Sequence, residues 1–237
     1  MKPPIVIYLT RHGDTDHKGL LYQQDAYPNE PDLSWVTPVS ITENGKQQMK
    51  KLARVIAGET RRIEAVFSSD QLRARQSLDV LLSCLSAESV VLSAKEIVFT
   101  ETLRDVYSPM LFRRFKTQKE FLGQYKGNSY TREFTKYGES LEQLKKRMFE
   151  AVQRVVTVLR KEKKFTALMV SHGDGIRVLL EALEHPKKKL TGRNYPSLFA
   201  ADYINKGEAW MLTFDENGNY LGKRRLPDAK QGGARKN

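Results

Sequence analysis

At 237 residues, with 40% hydrophobic and 29% charged side chains, the chain can bury one sizeable α/β core, and its composition excludes a fibrous or intrinsically disordered protein. One cysteine, Cys84, excludes an internal disulfide framework and fits a reducing compartment, and the first apolar run is too short for a secretion signal or a bilayer span. The formal net charge of +12 favours an anionic partner without choosing between nucleic acid, acidic membrane and a phosphorylated small molecule; the expectation is a soluble, cytoplasmic protein with no membrane partner.

Residues 4–10 read as a buried first strand, whose run Ile5-Val6-Ile7-Tyr8 leads into Leu9-Thr10-Arg11-His12-Gly13. An arginine beside a histidine at a strand end is poorly explained by packing, because an unpartnered buried charge is costly and sheets deliver residues to clefts at such ends. Residues 14–40, with Pro28, Pro31 and Pro38, read as a loop too long to be a simple connection. Thr42 is placed to cap a helix running to about Gly58, with Met49, Leu52, Ala53 and Ile56 on one face. Ile63 to Phe67 predicts a short strand ending in Ser68-Ser69-Asp70, followed by a helix carrying Leu72, Leu78, Leu81 and Leu82.

Glu96 to Thr100 is a weaker strand signal, and residues 105–137, rich in aromatic and basic side chains, read as a cap-like insertion over the cleft. Ser140 and Gln143 fit a capping box ahead of a stripe of Leu141, Leu144, Met148, Val152, Val155 and Leu159. Phe165 to Val170 predicts a buried strand ending in Ser171-His172-Gly173, and Ile176, Leu179 and Leu180 mark a short helix. Ala209 to Phe214 reads as the last strand, with a turn at Asp215-Glu216-Asn217-Gly218. Residues 227–237 lack an apolar pattern and read as a disordered tail. The alternation predicts a three-layer α/β/α sandwich around a largely parallel sheet, one domain over 1–226 with the cap-like segment 105–137 inserted.

Two of the four histidines, His12 and His172, stand in matching contexts, each at the end of an apolar strand and each followed by glycine. If the two strands are parallel neighbours, both imidazoles meet at one sheet edge, and Gly13 and Gly173 let a backbone approach a bound anion. The pattern proposes a histidine nucleophile beside an arginine that holds phosphate. A third strand end supplies Arg73 and Arg75 at a helix start, where free N–H groups already favour anions and an arginine fork grips phosphate oxygens. Function outweighs a solvated face for Arg73, and the reverse holds for Arg75. Lys187, Lys188, Lys189 and Arg193 read as a solvated basic stretch. No histidine and carboxylate cluster has metal-ligand spacing, and no phosphate-binding GxxxxGK[ST] loop is present.

Taken in order, these segments resemble the histidine phosphatase superfamily, the phosphoglycerate mutase-like branch. The resemblance rests on Arg11-His12-Gly13 with Thr15, Ser40 to Gly45 with Gln48, Ser68-Ser69 through Arg73-Ala74 and Gln76, Leu103-Arg104-Asp105, Gly138-Glu139-Ser140, and Val170 to Gly173 with Ile176-Arg177. It implies that neutral His12 attacks phosphorus to form a phosphohistidine, that Arg11, Arg73 and His172 hold the phosphoryl oxygens, and that neither metal nor other cofactor is needed. Thr15 and Gly173 join the substrate-binding set. By the same pattern Asp105 donates the proton to the leaving group, although many members carry glutamate there. Glu101 competes for that role, with a loop salt bridge to Arg104 as the plain reading of either carboxylate. Glu139 suits the dipole of the helix that follows, and the family motif adds a supporting role in ordering the pocket. Past Thr15 the chain departs from the family's pattern, and Lys18 is placed to replace a missing asparagine electrostatically. The implied substrate is a small phosphomonoester. Phosphoglycerate mutase-type transfer and a non-catalytic phosphate-binding module are the alternatives, and no nucleic acid partner is expected.

Overall fold

The computed structural model describes residues 3–15, 39–106, 139–191, 198 and 202–226. Among them, β1 (Ile5–Arg11) is followed by α1 (Glu43–Glu59), β2 (Arg62–Ile63), β3 (Ala65–Ser69) and α2 (Leu72–Ala87). Next come β4 (Val91–Leu92), β5 (Ile97–Thr100), a single 3-10 turn (Glu101–Leu103) and α3 (Leu141–Glu162). The order closes with β6 (Thr166–Ser171), α4 (Gly173–Glu184), β7 (Ala209–Phe214) and β8 (Tyr220–Leu226). Lys18, Arg193, the loop over 16–38, the cap-like segment from residue 107 onward and the tail lie outside the described residues.

The strands form a six-stranded sheet in the order β5-β3-β6-β1-β7-β8, with β2 and β4 pairing separately. The pairs β5–β3, β3–β6 and β6–β1 are parallel, whereas β1–β7 and β7–β8 are antiparallel. Alternation along each strand divides the core. Ile5, Ile7, Leu9, Ala167, Met169, Trp210, Leu212 and Phe214 pack with α3 and α4. Tyr8, Val66, Leu168, Val170 and Ala209 pack with α1 and α2 on the other face. Both faces are covered, so the central strands are apolar throughout, as a parallel sheet between helix layers requires. The three-layer sandwich and its largely parallel sheet are as the sequence predicts.

Two local differences have physical causes. Ile63 lies in β2, and the β3 ladder starts only at Ala65, because the Glu64 carboxylate between them accepts the amides of Phe165 and Thr166. The turn at Asp215 to Gly218 closes as expected, Asp215 N–H donating to the Asn219 carbonyl at 2.9 Å and Gly218 lying at φ +87°. The strand before it is not the last: β8 follows it and closes one edge of the sheet. Its basic run hides it, since Lys223, Arg224 and Arg225 each reach out to a carboxylate, Glu184, Glu59 and Glu208. Charged side chains are what an edge strand carries to discourage further pairing.

The α3 start matches its signature in full. Ser140 Oγ accepts the Gln143 amide at 3.2 Å and the Gln143 side chain accepts the Ser140 amide at 2.7 Å. Leu144, one turn on, is fully buried. Ser140→Ala is expected to cost about 1 kcal/mol and to lower Tm by about 2–4 °C, and Leu144→Ala about 2–5 kcal/mol, in thermal melts followed by circular dichroism.

Candidate active site

The site forms at the C-terminal end of the parallel strands. In the β1–β6 ladder Arg11 pairs with Ser171, so the next residue of each strand end, His12 and His172, is delivered side by side. The imidazole centroids lie 5.0 Å apart with the rings tilted by 59°. Both rings are buried, His12 at 3% exposure and His172 at 0%.

The proton of His12 is placed by its neighbour. His12 Nδ1 lies 2.8 Å from the Gly13 carbonyl oxygen, which can only accept, so Nδ1 carries the hydrogen and Nε2 keeps its lone pair. Ser69 Oγ accepts the Gln71 amide and shares a hydrogen bond with His172 Nε2 at 2.9 Å. The other ring nitrogen of His172, Nδ1, is a buried atom with no hydrogen-bond partner among the described residues. Burial, reinforced by the positive charges of Arg73 and Arg11, holds both histidines well below their ordinary 6.5. His12 is therefore a neutral imidazole with a free nitrogen in a cationic pocket, the state a nucleophile requires.

Two arginines surround it. Arg73, in the first turn of α2 and 4% exposed, donates to Gln71 Oε1 at 2.8 Å and lies 3.6 Å from Asp105 Oδ2. Arg11 donates to the Ile204 carbonyl at 3.2 Å, with its guanidinium 5.2 Å from the centre of the Tyr203 ring. Its Nε is buried and makes no hydrogen bond among the described residues. Arg75, by contrast, is exposed and lies over Phe99, 4.2 Å from that ring centre.

Asp105 is the carboxylate at the pocket. Its Oδ2 stands 3.6 Å from Arg73 and 3.7 Å from His172 Nδ1. It does not pair with Arg104, which is held by both oxygens of Asp70 instead. Glu101 is 73% exposed and 3.8 Å from Arg104, the plain loop pairing. Glu139 grips Arg147 with both oxygens, each at 2.6 Å, and Arg147 in turn donates to the carbonyls of Thr102, Arg104 and Asp105.

The glycines are needed for protein contacts. A Cβ on Gly13 would sit 2.7 Å from the Gly45 carbonyl oxygen, and one on Gly173 would sit 2.4 Å from the Tyr203 hydroxyl and 3.1 Å from Arg11 Cζ. Thr15 is buried and bridges Ile41. Of the basic stretch, Lys188 pairs with Glu181, and Lys187 and Lys189 are exposed.

Several members of the site escape sequence reasoning. Tyr203 lies against Arg11 and donates to Asp174 at 2.7 Å, in a segment without periodicity. Lys206 holds Asp14 at 2.6 Å and adds positive charge near His12. Ser77 Oγ accepts the Gly13 amide at 2.9 Å from the polar side of an otherwise apolar helix stripe. Arg147 lies within the α3 stripe pattern, and the Glu139 eight residues before it was its one signal. Among the described residues, no group of three or more His, Cys, Asp or Glu side chains is arranged to hold a metal ion, and no helix is long and apolar enough to cross a membrane.

The family model described as the histidine phosphatase superfamily (branch 1) matches residues 7–197. A broad-specificity phosphatase of Saccharomyces cerevisiae is 25% identical over 221 residues, covering 92% of this chain and 88% of that protein. A phosphoglycerate mutase from Bacillus anthracis shares the fold with a TM-score of 0.62 at 16% identity, over 96% of this chain and 94% of that one. YhfR of Bacillus stearothermophilus does so with a TM-score of 0.60 at 20% identity, over 92% and 94%.

The two neutral histidines fix the sign of an acid effect. Their folded-state affinity for protons is depressed, so as pH falls through about 6.5 the unfolded chain takes up protons that the folded chain refuses. Stability present above that pH is lost below it, by up to about 1.4 kcal/mol per pH unit for each histidine. Urea titrations from about pH 7.5 to about pH 5 are expected to show this fall, and His172→Gln to flatten it.

Proposed function

The chain belongs to branch 1 of the histidine phosphatase superfamily and is a phosphatase, and we propose that it hydrolyses small anionic phosphomonoesters through a covalent phosphohistidine on His12. The observation that carries this reading is the tautomer of His12: a buried, neutral imidazole whose Nδ1–H is spent on Gly13 and whose Nε2 is left to attack.

Nε2 forms a bond to phosphorus as the ester P–O bond breaks, and the departing oxygen takes the proton of the Asp105 carboxyl. Water then attacks phosphorus, the N–P bond breaks, and Asp105 recovers a proton from that water. Arg73, the Nε of Arg11 and His172 receive the charge spread over the phosphoryl oxygens. In a buried site such fixed donors contribute more than they would in water, and phosphoryl transfer depends chiefly on them. Nucleophile, proton donor and charge clamp are all side chains here, so the route is metal-independent. Asp105 is preferred to Glu101 because it faces Arg73 and His172, whereas Glu101 projects into solvent. Thr15 and Gly173 shape the pocket wall, and Lys18 remains a proposed contact for the rest of the substrate. The fold alone is shared with a phosphoglycerate mutase, while the phosphatase relative aligns in sequence over 92% of the chain at 25% identity. Hydrolysis is therefore preferred to mutase transfer and to a non-catalytic module. We place the enzyme in the cytoplasm, with no nucleic acid partner.

The test is a screen of sugar phosphates, phosphoglycerates, nucleotides and phosphopeptides with EDTA present. Turnover is expected to survive EDTA, to vanish in His12→Ala, and to leave acid-labile phosphate on His12 after rapid quenching. Asp105→Asn is expected to lower kcat on alkyl esters by about 10²–10⁴-fold. Full turnover by His12→Ala would falsify the covalent mechanism.

A further inference from the structure

We infer that Arg147 is a positioning residue for the proton donor, setting the place of Asp105 through its backbone. This rests on the reading of Asp105 as the acid.

A guanidinium has five N–H donors in a rigid fork. In Arg147 the structure gives each of them an acceptor. Nε and one Nη2 hydrogen hold the two oxygens of Glu139, both at 2.6 Å. Nη1 serves the carbonyls of Thr102 at 2.9 Å and Arg104 at 3.0 Å, and Nη2 also reaches the carbonyl of Asp105 at 3.1 Å. The pair is largely buried, with side-chain exposures of 18% for Arg147 and 12% for Glu139. One side chain of α3 therefore grips the backbone from the 3-10 turn to Asp105, and the residue that grips it back, Glu139, lies where the chain returns to the framework. Breaking a buried pair of this kind leaves an uncompensated charge, so the arrangement has a single favoured geometry.

That geometry matters because Asp105 has little reach of its own. Its carboxylate hangs from one methylene, so an error in the backbone passes almost undiminished to the oxygen. Its placement 3.6 Å from Arg73 and 3.7 Å from His172 Nδ1 follows from where the Asp105 peptide is held. A longer acid could correct such an error by rotation. Lysine at 147 keeps the charge but supplies three donors from a point, and cannot span five acceptors.

The inference predicts a loss that depends on the leaving group. Protonation is needed when the departing oxygen is a poor leaving group and hardly at all when it is p-nitrophenolate. Arg147→Lys is expected to lower kcat by about ten- to a hundredfold on an alkyl phosphomonoester and by less than about threefold on p-nitrophenyl phosphate. Glu139→Gln is expected to shift the same ratio in the same direction by a smaller factor, and carries the test if circular dichroism shows Arg147→Lys unfolded. Asp105→Asn combined with Arg147→Lys is expected to be no slower on the alkyl ester than Asp105→Asn alone. Equal losses on both substrates, or multiplying losses in the double variant, would overturn the role of Arg147. The acid reading fails separately, if Asp105→Asn itself leaves alkyl ester turnover unchanged; an alkyl-selective loss in Arg147→Lys would then act through some other group, and the inference would fall with it.

Discussion

The parallel pairing of β1 with β6 brings two histidines to the same height at one edge of a sheet, and the rest of the site is arranged around that placement. A shift of one residue in that register would turn one imidazole to the opposite helix layer, because side chains alternate between faces. The register is guarded by the core beneath it. Val6, Tyr8, Leu168 and Val170 face α1 and α2 while Ile5, Ile7, Leu9, Ala167 and Met169 face α3 and α4, so a slip would exchange side chains of different size between two close-packed layers. The apolar runs that look like generic strand sequence are thus what holds the chemistry in line.

Charge explains the next level. Two arginines and Lys206 converge on a pair of buried imidazoles, and their joint effect with desolvation is to keep those imidazoles neutral. A histidine in water near neutral pH would be a mixture of protonation states. Here the cations beside the imidazoles disfavour the proton, so in the proposed reaction the groups that would hold the phosphoryl oxygens are also those that keep the attacking nitrogen free.

Legibility in the sequence followed the range of the interactions. Strands and helices with sustained periodicity were readable, as was the Ser140 box, because capping is settled within four residues. That His12, His172, Arg11 and Arg73 come together was readable because each stands at the end of a strand or the start of a helix. Residues whose role comes only from a distant partner were not. Tyr203 acquires its place from Arg11 and Gly173, Arg147 from three carbonyls more than forty positions earlier, and Lys206 from Asp14. β8 was missed for another reason: its basic run satisfies distant carboxylates, which no local pattern announces. The sequence reads the two glycines as room for a bound anion, whereas protein fills that room at both, the Gly45 backbone at Gly13 and Tyr203 with Arg11 at Gly173.

One feature of the framework bears on how the enzyme could diversify. Where the chain leaves β1 and where it re-enters at α1, the two strands of backbone are stapled together. The Thr42 amide donates to the Asp14 carbonyl at 2.8 Å, Thr15 bridges Ile41, and Gln48 and Gln76 on the adjoining helices accept the amides of Asp14 and Ile41. The two ends of that connection are therefore fixed within the framework itself. Closing a longer segment costs only about 0.6 kcal/mol for each doubling of its length. A change of length between the staples is therefore inexpensive for the chain, and the backbone that carries His12 keeps its own anchors to α1 and α2.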